Sequence, residues 1–266
     1  MGNVVPKLKV DNLMFSYGDK LAADHVSFEV MPGEFVGLIG PNGSGKSTVL
    51  KNVYRALEPD EGQIEIDGED MAHMSYKESA LKMAVVGQEN DVPFNFKVSE
   101  IVAMGRTPHK RMFDIDTPED KAIVRHALEH VGMADMEKRN YLNLSGGEKQ
   151  RVIIARAVAQ ECDFFVLDEP TNHLDISYQL QIFDFVRRLD VTVLSAIHDL
   201  NMAALYCDRL YVLKDGKVVL SGTPEEVLTT GNIKDVYGVD CTTEIHPETG
   251  RVAITYLPAS GSQNKS

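Results

Sequence analysis

Residues 40–48 read Gly-Pro-Asn-Gly-Ser-Gly-Lys-Ser-Thr. They satisfy G-x-x-x-x-G-K-[ST] through Gly40, Gly45, Lys46 and Ser47. An apolar run leads in over 34–39 and a helix-compatible stretch follows over 49–57. The succession predicts a strand, a glycine-rich turn and a helix, the context in which this pattern has a physical meaning. Glycines let several backbone N–H groups converge on one anion, and the new helix aims its positive end at the same point. Lys46 can then reach the outer phosphates of a nucleoside triphosphate, and Ser47 can offer a hydroxyl to Mg²⁺. A glycine-rich turn with no ligand is the competing reading, but a lysine followed by two hydroxyls has no packing reason to be there. Gly40, Pro41, Asn42, Gly43, Ser44, Gly45, Lys46, Ser47 and Thr48 are therefore the expected phosphate cradle.

The chain has 266 residues, enough for one large domain or for one with a smaller lobe. Its net charge of -13 argues against wrapping nucleic acid, where neutralising phosphates dominates affinity. Cys162, Cys207 and Cys241 match no metal spacing and read as reduced, partly buried thiols. The first ten residues lack a signal-peptide pattern. No apolar run approaches the ~18 residues of a membrane span, so any membrane role requires another chain.

Along the chain, 8–15 and 26–30 read as short strands closed by Tyr17-Gly18-Asp19 and Pro32-Gly33. A further strand, 63–66, closes at Asp67-Gly68, a hairpin signal. Tyr17 is either a ring placed to stack on a base or an ordinary turn tyrosine. An apolar strand is predicted over 81–87, ending at Gln88. Residues 90–96 read as a connector and 98–104 as a short helix, ended by Gly105-Arg106-Thr107-Pro108-His109. Thr117 as N-cap, Pro118 at the first helical position and acids in the first turn open a clear helix. Ile123, Val124, Ala127, Leu128 and Val131 form its apolar face.

Leu144-Ser145-Gly146-Gly147-Glu148 has capping-box spacing between Ser145 and Glu148. It can be read as a capped helix and nothing more. The two glycines cost helix stability and favour something approaching the backbone closely, which makes a second anion-ready helix start. Residues 164–168 form a wholly apolar strand ending at Asp168-Glu169, and 191–197 form another ending at His198-Asp199. Ligands of parallel sheets bind beyond the carboxyl ends of strands. Asp168 is thereby a candidate for Mg²⁺, Glu169 for polarising a water and His198 for a γ-phosphate contact. A hairpin is predicted over 209–220 with its turn at Asp215-Gly216, then a helix capped by Thr223, then a hairpin of 241–246 with 251–256.

One phosphate loop, one glutamine after a strand, Ser145-Gly146-Gly147-Glu148, Asp168-Glu169 and a strand-end His198, in that order, resemble the ATP-binding subunit of ABC transporters over residues 8 to about 228. The resemblance implies an α/β fold, a P-loop NTPase core with a mixed sheet, an N-terminal antiparallel β lobe and a helical insertion. It implies one domain over 1–259, with the insertion at about 90–141, a C-terminal hairpin at about 240–257 and a flexible tail at 260–266. ATP and Mg²⁺ are the implied cofactors. Tyr17 looks like the adenine-stacking residue and Gln88 like the Q-loop glutamine, near both metal and chemistry. Lys46, Glu169 and His198 are similar to the catalytic set, and Ser47 and Asp168 to the metal-holding pair. Leu174 and Asp175 match the D-loop.

The family implies a head-to-tail homodimer in which Ser145, Gly146, Gly147 and Glu148 of one copy face ATP held by the other. It further implies permease subunits contacted near Gln88 and the helical insertion, a separate substrate-binding protein, no nucleic acid, and a peripheral place on the cytoplasmic face of a bacterial membrane. Gly105 to His109, 171–176, 198–206 and 223–228 resemble importers of ferric siderophores, haem and cobalamin. Import of an iron complex is the leading expectation, ahead of zinc, manganese or another cargo. A soluble ABC ATPase acting on nucleic acid or ribosomes is disfavoured by the single phosphate loop and the acidic balance. A non-catalytic scaffold is disfavoured by the intact Glu169.

Overall fold

The computed structural model describes residues 4–87, 95–111, 114–172 and 174–258. Gln88 and the tail at 260–266 lie outside the described residues. The chain opens with β1 (Leu8–Tyr17), β2 (Lys20–Val30) and β3 (Phe35–Ile39), and α1 (Lys46–Val53) follows the phosphate loop. Next come β4 (Glu61–Ile66) and the two-residue β5 (Glu69–Asp70). Asp67 and Gly68 between them both have positive φ, 53° and 76°, the primed turn that Asp-Gly favours. These strands build an antiparallel sheet of order β2-β1-β4-β5, the expected N-terminal lobe.

The second sheet carries the rest. In chain order it is fed by α2 (Tyr76–Lys82), β6 (Ala84–Val86), α3 (Val98–Ala103), α4 (Pro118–His130), α5 (Gly146–Ala159), β7 (Phe164–Asp168), α6 (Ile176–Arg187), β8 (Thr192–Ala196), α7 (Leu200–Tyr206), β9 (Arg209–Lys214) and β10 (Lys217–Gly222). Its order is β10-β9-β3-β8-β7-β6, parallel throughout except for the β9–β10 hairpin. The sheet is therefore mixed, as expected. After it come α8 (Pro224–Val227), α9 (Thr230–Tyr237) and the hairpin of β11 (Cys241–Ile245) with β12 (Val252–Tyr256).

Central strands with no polar alternation must be covered on both faces, and here they are. Val36, Leu38, Phe164, Val166, Leu194, Tyr211 and Leu213 join one core with the antiparallel lobe and with Val49, Leu50 and Val53 of α1. Their strand neighbours Phe35, Ile39, Phe165, Leu167, Val193, Leu210 and Val212 join a second core with α3 to α7. The period of two thus sorts each strand between two layers. α1 lies between the sheets, which fixes the loop before it against the strand ends.

Two local expectations change. Leu81 and Lys82 end α2 rather than begin a strand. Ser75 caps α2 reciprocally with Glu78, a box visible in the sequence. The segment Met104–His109 continues α3 as a 3-10 turn instead of ending it. Gly105 is required there because a Cβ would stand 2.2 Å from the Arg156 carbonyl oxygen of α5. The Thr117 helix forms as expected, with Val124, Ala127, Leu128 and Val131 buried and Ile123 partly so. All three cysteines are buried and unbridged.

Candidate functional site at the carboxyl edge of the central sheet

The phosphate loop is wedged between β2 and the β9–β10 turn. Gly40 has φ 150°, and a Cβ on it would sit 2.1 Å from the Leu213 carbonyl oxygen. Gly45 has φ 103° and caps α1, and its Cβ would sit 2.4 Å from the Ala22 carbonyl oxygen. No side chain fits at either place. Lys46 is only 4% exposed. Its ammonium donates to the carbonyl oxygens of Gly40 at 2.7 Å and Pro41 at 3.0 Å, so it is held over the loop. Burial pulls its pKa down, while Glu169 and Asp168 oppose the shift. The loop opens into a cleft of about 490 Å³ that also takes in Tyr17, Leu21, Glu169 and Asp215. Tyr17 is half exposed there and is braced edge-on by Phe15, with ring centroids 4.9 Å apart.

Parallel pairing delivers the rest. Leu38 pairs with Ala196, and Ala196 pairs with Asp168. The residues just beyond these strand ends, Gly40, His198 and Glu169, therefore emerge along one edge. His198 meets Asn42 of the phosphate loop at 2.5 Å between Nε2 and Oδ1. Glu169 sits at φ 51°, a strained setting for a residue with a side chain, and accepts a hydrogen bond from the Asn172 amide. β6 ends beside Leu167, which puts Gly87 near the same edge.

Asp168 is fully buried. Its Oδ1 has no hydrogen-bond partner among the described residues, while Oδ2 accepts from the Tyr54 hydroxyl at 3.3 Å. Burial pushes its carboxyl above the usual range, and Ser47, Tyr54 and Lys51 pull the other way. An orphaned carboxylate oxygen beside the Ser47 hydroxyl is a hard-oxygen donor set that fits Mg²⁺. No group of three or more His, Cys, Asp or Glu side chains that could hold a metal gathers among the described residues, so most ligands of such an ion would be phosphate and water oxygens.

The Ser145 turn is elsewhere. None of Ser145, Gly146, Gly147 and Glu148 lines the phosphate-loop cleft. Ser145 caps α5 reciprocally with Glu148: its backbone N–H donates to the Glu148 carboxylate at 2.7 Å. Gly146 is exposed, and a Cβ on it would meet only Leu174, at 3.7 Å. Gly147 is different, since a Cβ would stand 2.6 Å from the Tyr178 ring. The close approach that the two glycines suggest is made at Gly147 by the Tyr178 ring of α6.

The pattern of the ABC transporter family matches residues 23–172. The chain belongs to the ABC transporter family. Among curated ABC proteins it is 38% identical to the iron(3+)-hydroxamate import ATP-binding protein FhuC of Bacillus subtilis, over 94% of each chain. It is 40% identical to the cobalamin import ATP-binding protein BtuD of Halobacterium salinarum over 88% of this chain. The chain spans only 59–60% of the length of the first curated relatives it matches. Among solved structures, a metal-chelate type ABC transporter in an inward-facing conformation superposes with a TM-score of 0.83 at 26% identity, covering 96% of this chain and 98% of that one. The α/β architecture read from the sequence is the ABC ATPase fold.

Sequence reading missed three neighbours of this ABC site: Tyr54 on Asp168, Asn172 on Glu169, and the Asn42 contact of His198. Only Asn172 had a local signal, three residues after Glu169 in a turn closed by its N–H on the Glu169 carbonyl at 3.3 Å.

Proposed function

We propose that the chain is the ATP-hydrolysing subunit of a membrane importer of iron complexes, ferric siderophores foremost. The observation that carries this is the meeting of Lys46, Asp168, Glu169 and His198 with one glycine loop at a single sheet edge. Lys46 and the loop N–H groups hold the β- and γ-phosphates, and Tyr17 stacks on the adenine. Glu169 orients and polarises a water for in-line attack on the γ-phosphorus, and His198 holds the γ-phosphate. The new P–O bond comes from water, and the bond to the ADP oxygen breaks. Ser47, Asp168 and Gln88 would hold Mg²⁺, which would supply charge neutralisation for the phosphate groups. Ser145, Gly146, Gly147 and Glu148 close over ATP bound to a second copy, head to tail, and hydrolysis releases that closure.

A single domain over 1–259, with an insertion at about 90–141, carries these parts. No helix among the described residues is long and apolar enough to cross a membrane, so a permease supplies the span. That permease is met near Gln88 and the insertion, and within the insertion Met104 and Ile115 leave apolar surface exposed. A peripheral place on the cytoplasmic face and a separate binding protein complete the proposal. The hydroxamate relative, similar over 94% of each chain, supports an iron-complex cargo, and the cobalamin relative favours corrinoid import as the second reading. The test is Glu169→Gln. Turnover should fall by about 10²- to 10⁴-fold, and sedimentation with ATP should show a trapped dimer; normal hydrolysis by the variant refutes the role of Glu169. Uptake of labelled ferric hydroxamate against cobalamin separates the cargoes.

A further inference from the structure

α1 carries more than the phosphate loop at its start. Ser47, Lys51 and Tyr54 are spaced i, i+4, i+7, one stripe on a helix, and helical bonding continues to Tyr54, whose N–H reaches the Leu50 carbonyl at 2.8 Å. Tyr54 meets the Asp168 carboxylate directly, and Ser47, Tyr54 and Lys51 each draw its pKa down against burial. The two oxygens of that carboxylate differ: the Tyr54 hydroxyl donates to Oδ2, and Oδ1 is buried and unpartnered. A carboxylate with both oxygens unengaged could turn about its last torsion, since such torsions are broad.

We propose that Tyr54 is a positioning residue that engages Oδ2 of Asp168 and so keeps Oδ1 presented to a divalent cation at the phosphate loop. The phenol donates from the residue that caps α1, still bonded to its last turn, so hydroxyl and carboxylate are set against each other by the end of the helix that carries Ser47. The 3.3 Å contact is longer than the 2.5–3.0 Å usual for a hydroxyl donor, which suits orientation more than tight anchoring. The proposal rests on Asp168 being an ion ligand.

The experiment is Mn²⁺ binding to the full chain with ADP, read by electron paramagnetic resonance. Wild type, Tyr54→Phe and Asp168→Asn are compared, with ADP affinity in EDTA measured in parallel. Tyr54→Phe keeps the ring and should weaken Mn²⁺ by about 3- to 10-fold, the worth of one hydrogen bond, with ADP affinity in EDTA unchanged. Tyr54→His, which restores a ring donor, should recover part of the loss and serves as the second variant if the phenylalanine form is unstable. Mn²⁺ affinity equal in wild type and Tyr54→Phe overturns the proposal, as does a matching loss of ADP affinity in EDTA, which marks distortion of α1. Equal Mn²⁺ affinity in wild type and Asp168→Asn instead removes Asp168 as a ligand, a separate failure.

Discussion

Two helices in this chain start at glycine-rich turns with N–H groups directed outward, and they are built differently. The turn before α1 is closed in by other parts of the chain. Its glycines lie against β2 and β9, a buried lysine spans it, and two further strand ends meet it. The turn before α5 has its own capping box and the Tyr178 ring against Gly147, and a Cβ on its outer glycine would meet Leu174 alone among the described residues. Both satisfy the requirement for an anion-ready helix start. Only the first gathers cation, carboxylates and imidazole. A helix start becomes a site by what tertiary packing brings to it, and one without such company is at most half of a site.

The comparison breaks most visibly at Lys46. Lys46→Ala removes a charge-assisted donor and leaves the Gly40 and Pro41 carbonyls without it. ATP affinity should fall by about 10- to 100-fold, measured by calorimetry on a variant whose melting temperature is checked alongside; unchanged affinity ends the reading of the loop.

The two glycines before α5 sharpen it. Gly147→Ala drives a methyl into Tyr178 and should cost about 1–3 kcal/mol of stability. Gly146→Ala meets only Leu174 at ordinary contact and should leave thermal unfolding within about 1 °C or raise it slightly, since alanine favours a helix. Even so, ATP-driven dimerisation should weaken in Gly146→Ala. If both variants lose the same stability, the packing distinction is wrong.

The smallest effect comes from a third helix start, at Thr117, which serves as a control. Asp120 is held well below the usual carboxylate range, first by the Thr117 backbone N–H and also by Arg106 at 3.1 Å. A depressed folded pKa stabilises above the unfolded value near 4 and loses that contribution as pH falls toward the folded value. Asp120→Asn should therefore be less stable than wild type at neutral pH, with the gap closing below about pH 4 in urea titrations. ATP binding should be unaffected, in contrast to Lys46→Ala.

Much of the fold was legible because its signals are local. Asp67-Gly68 and Asp215-Gly216 turn as hairpins, Thr117 and Thr223 cap helices, and the apolar runs at 164–168 and 191–197 are buried strands. α2, α6, α7 and α9 carry no comparably strong local signal, apart from Ser75 with Glu78 at the start of α2. The role of Gly105 is hidden from local pattern because its constraint is the Arg156 backbone, fifty-one positions along the chain.

Local pattern, by itself, determined the phosphate loop, the capped helices, the hairpins and the family, since each depends on residues within a few positions of one another. Tertiary structure decided which of those parts meet. Parallel register among β3, β8 and β7 brings Gly40, His198 and Glu169 to one edge. Packing of α1 between two sheets sets Tyr54 on Asp168. Tyr178 decided that Gly147 is small for the fold's own sake. The physical reason is one of range: propensity and capping act through neighbours in the chain, whereas burial and strand pairing join segments far apart in sequence, and no local pattern records their partners.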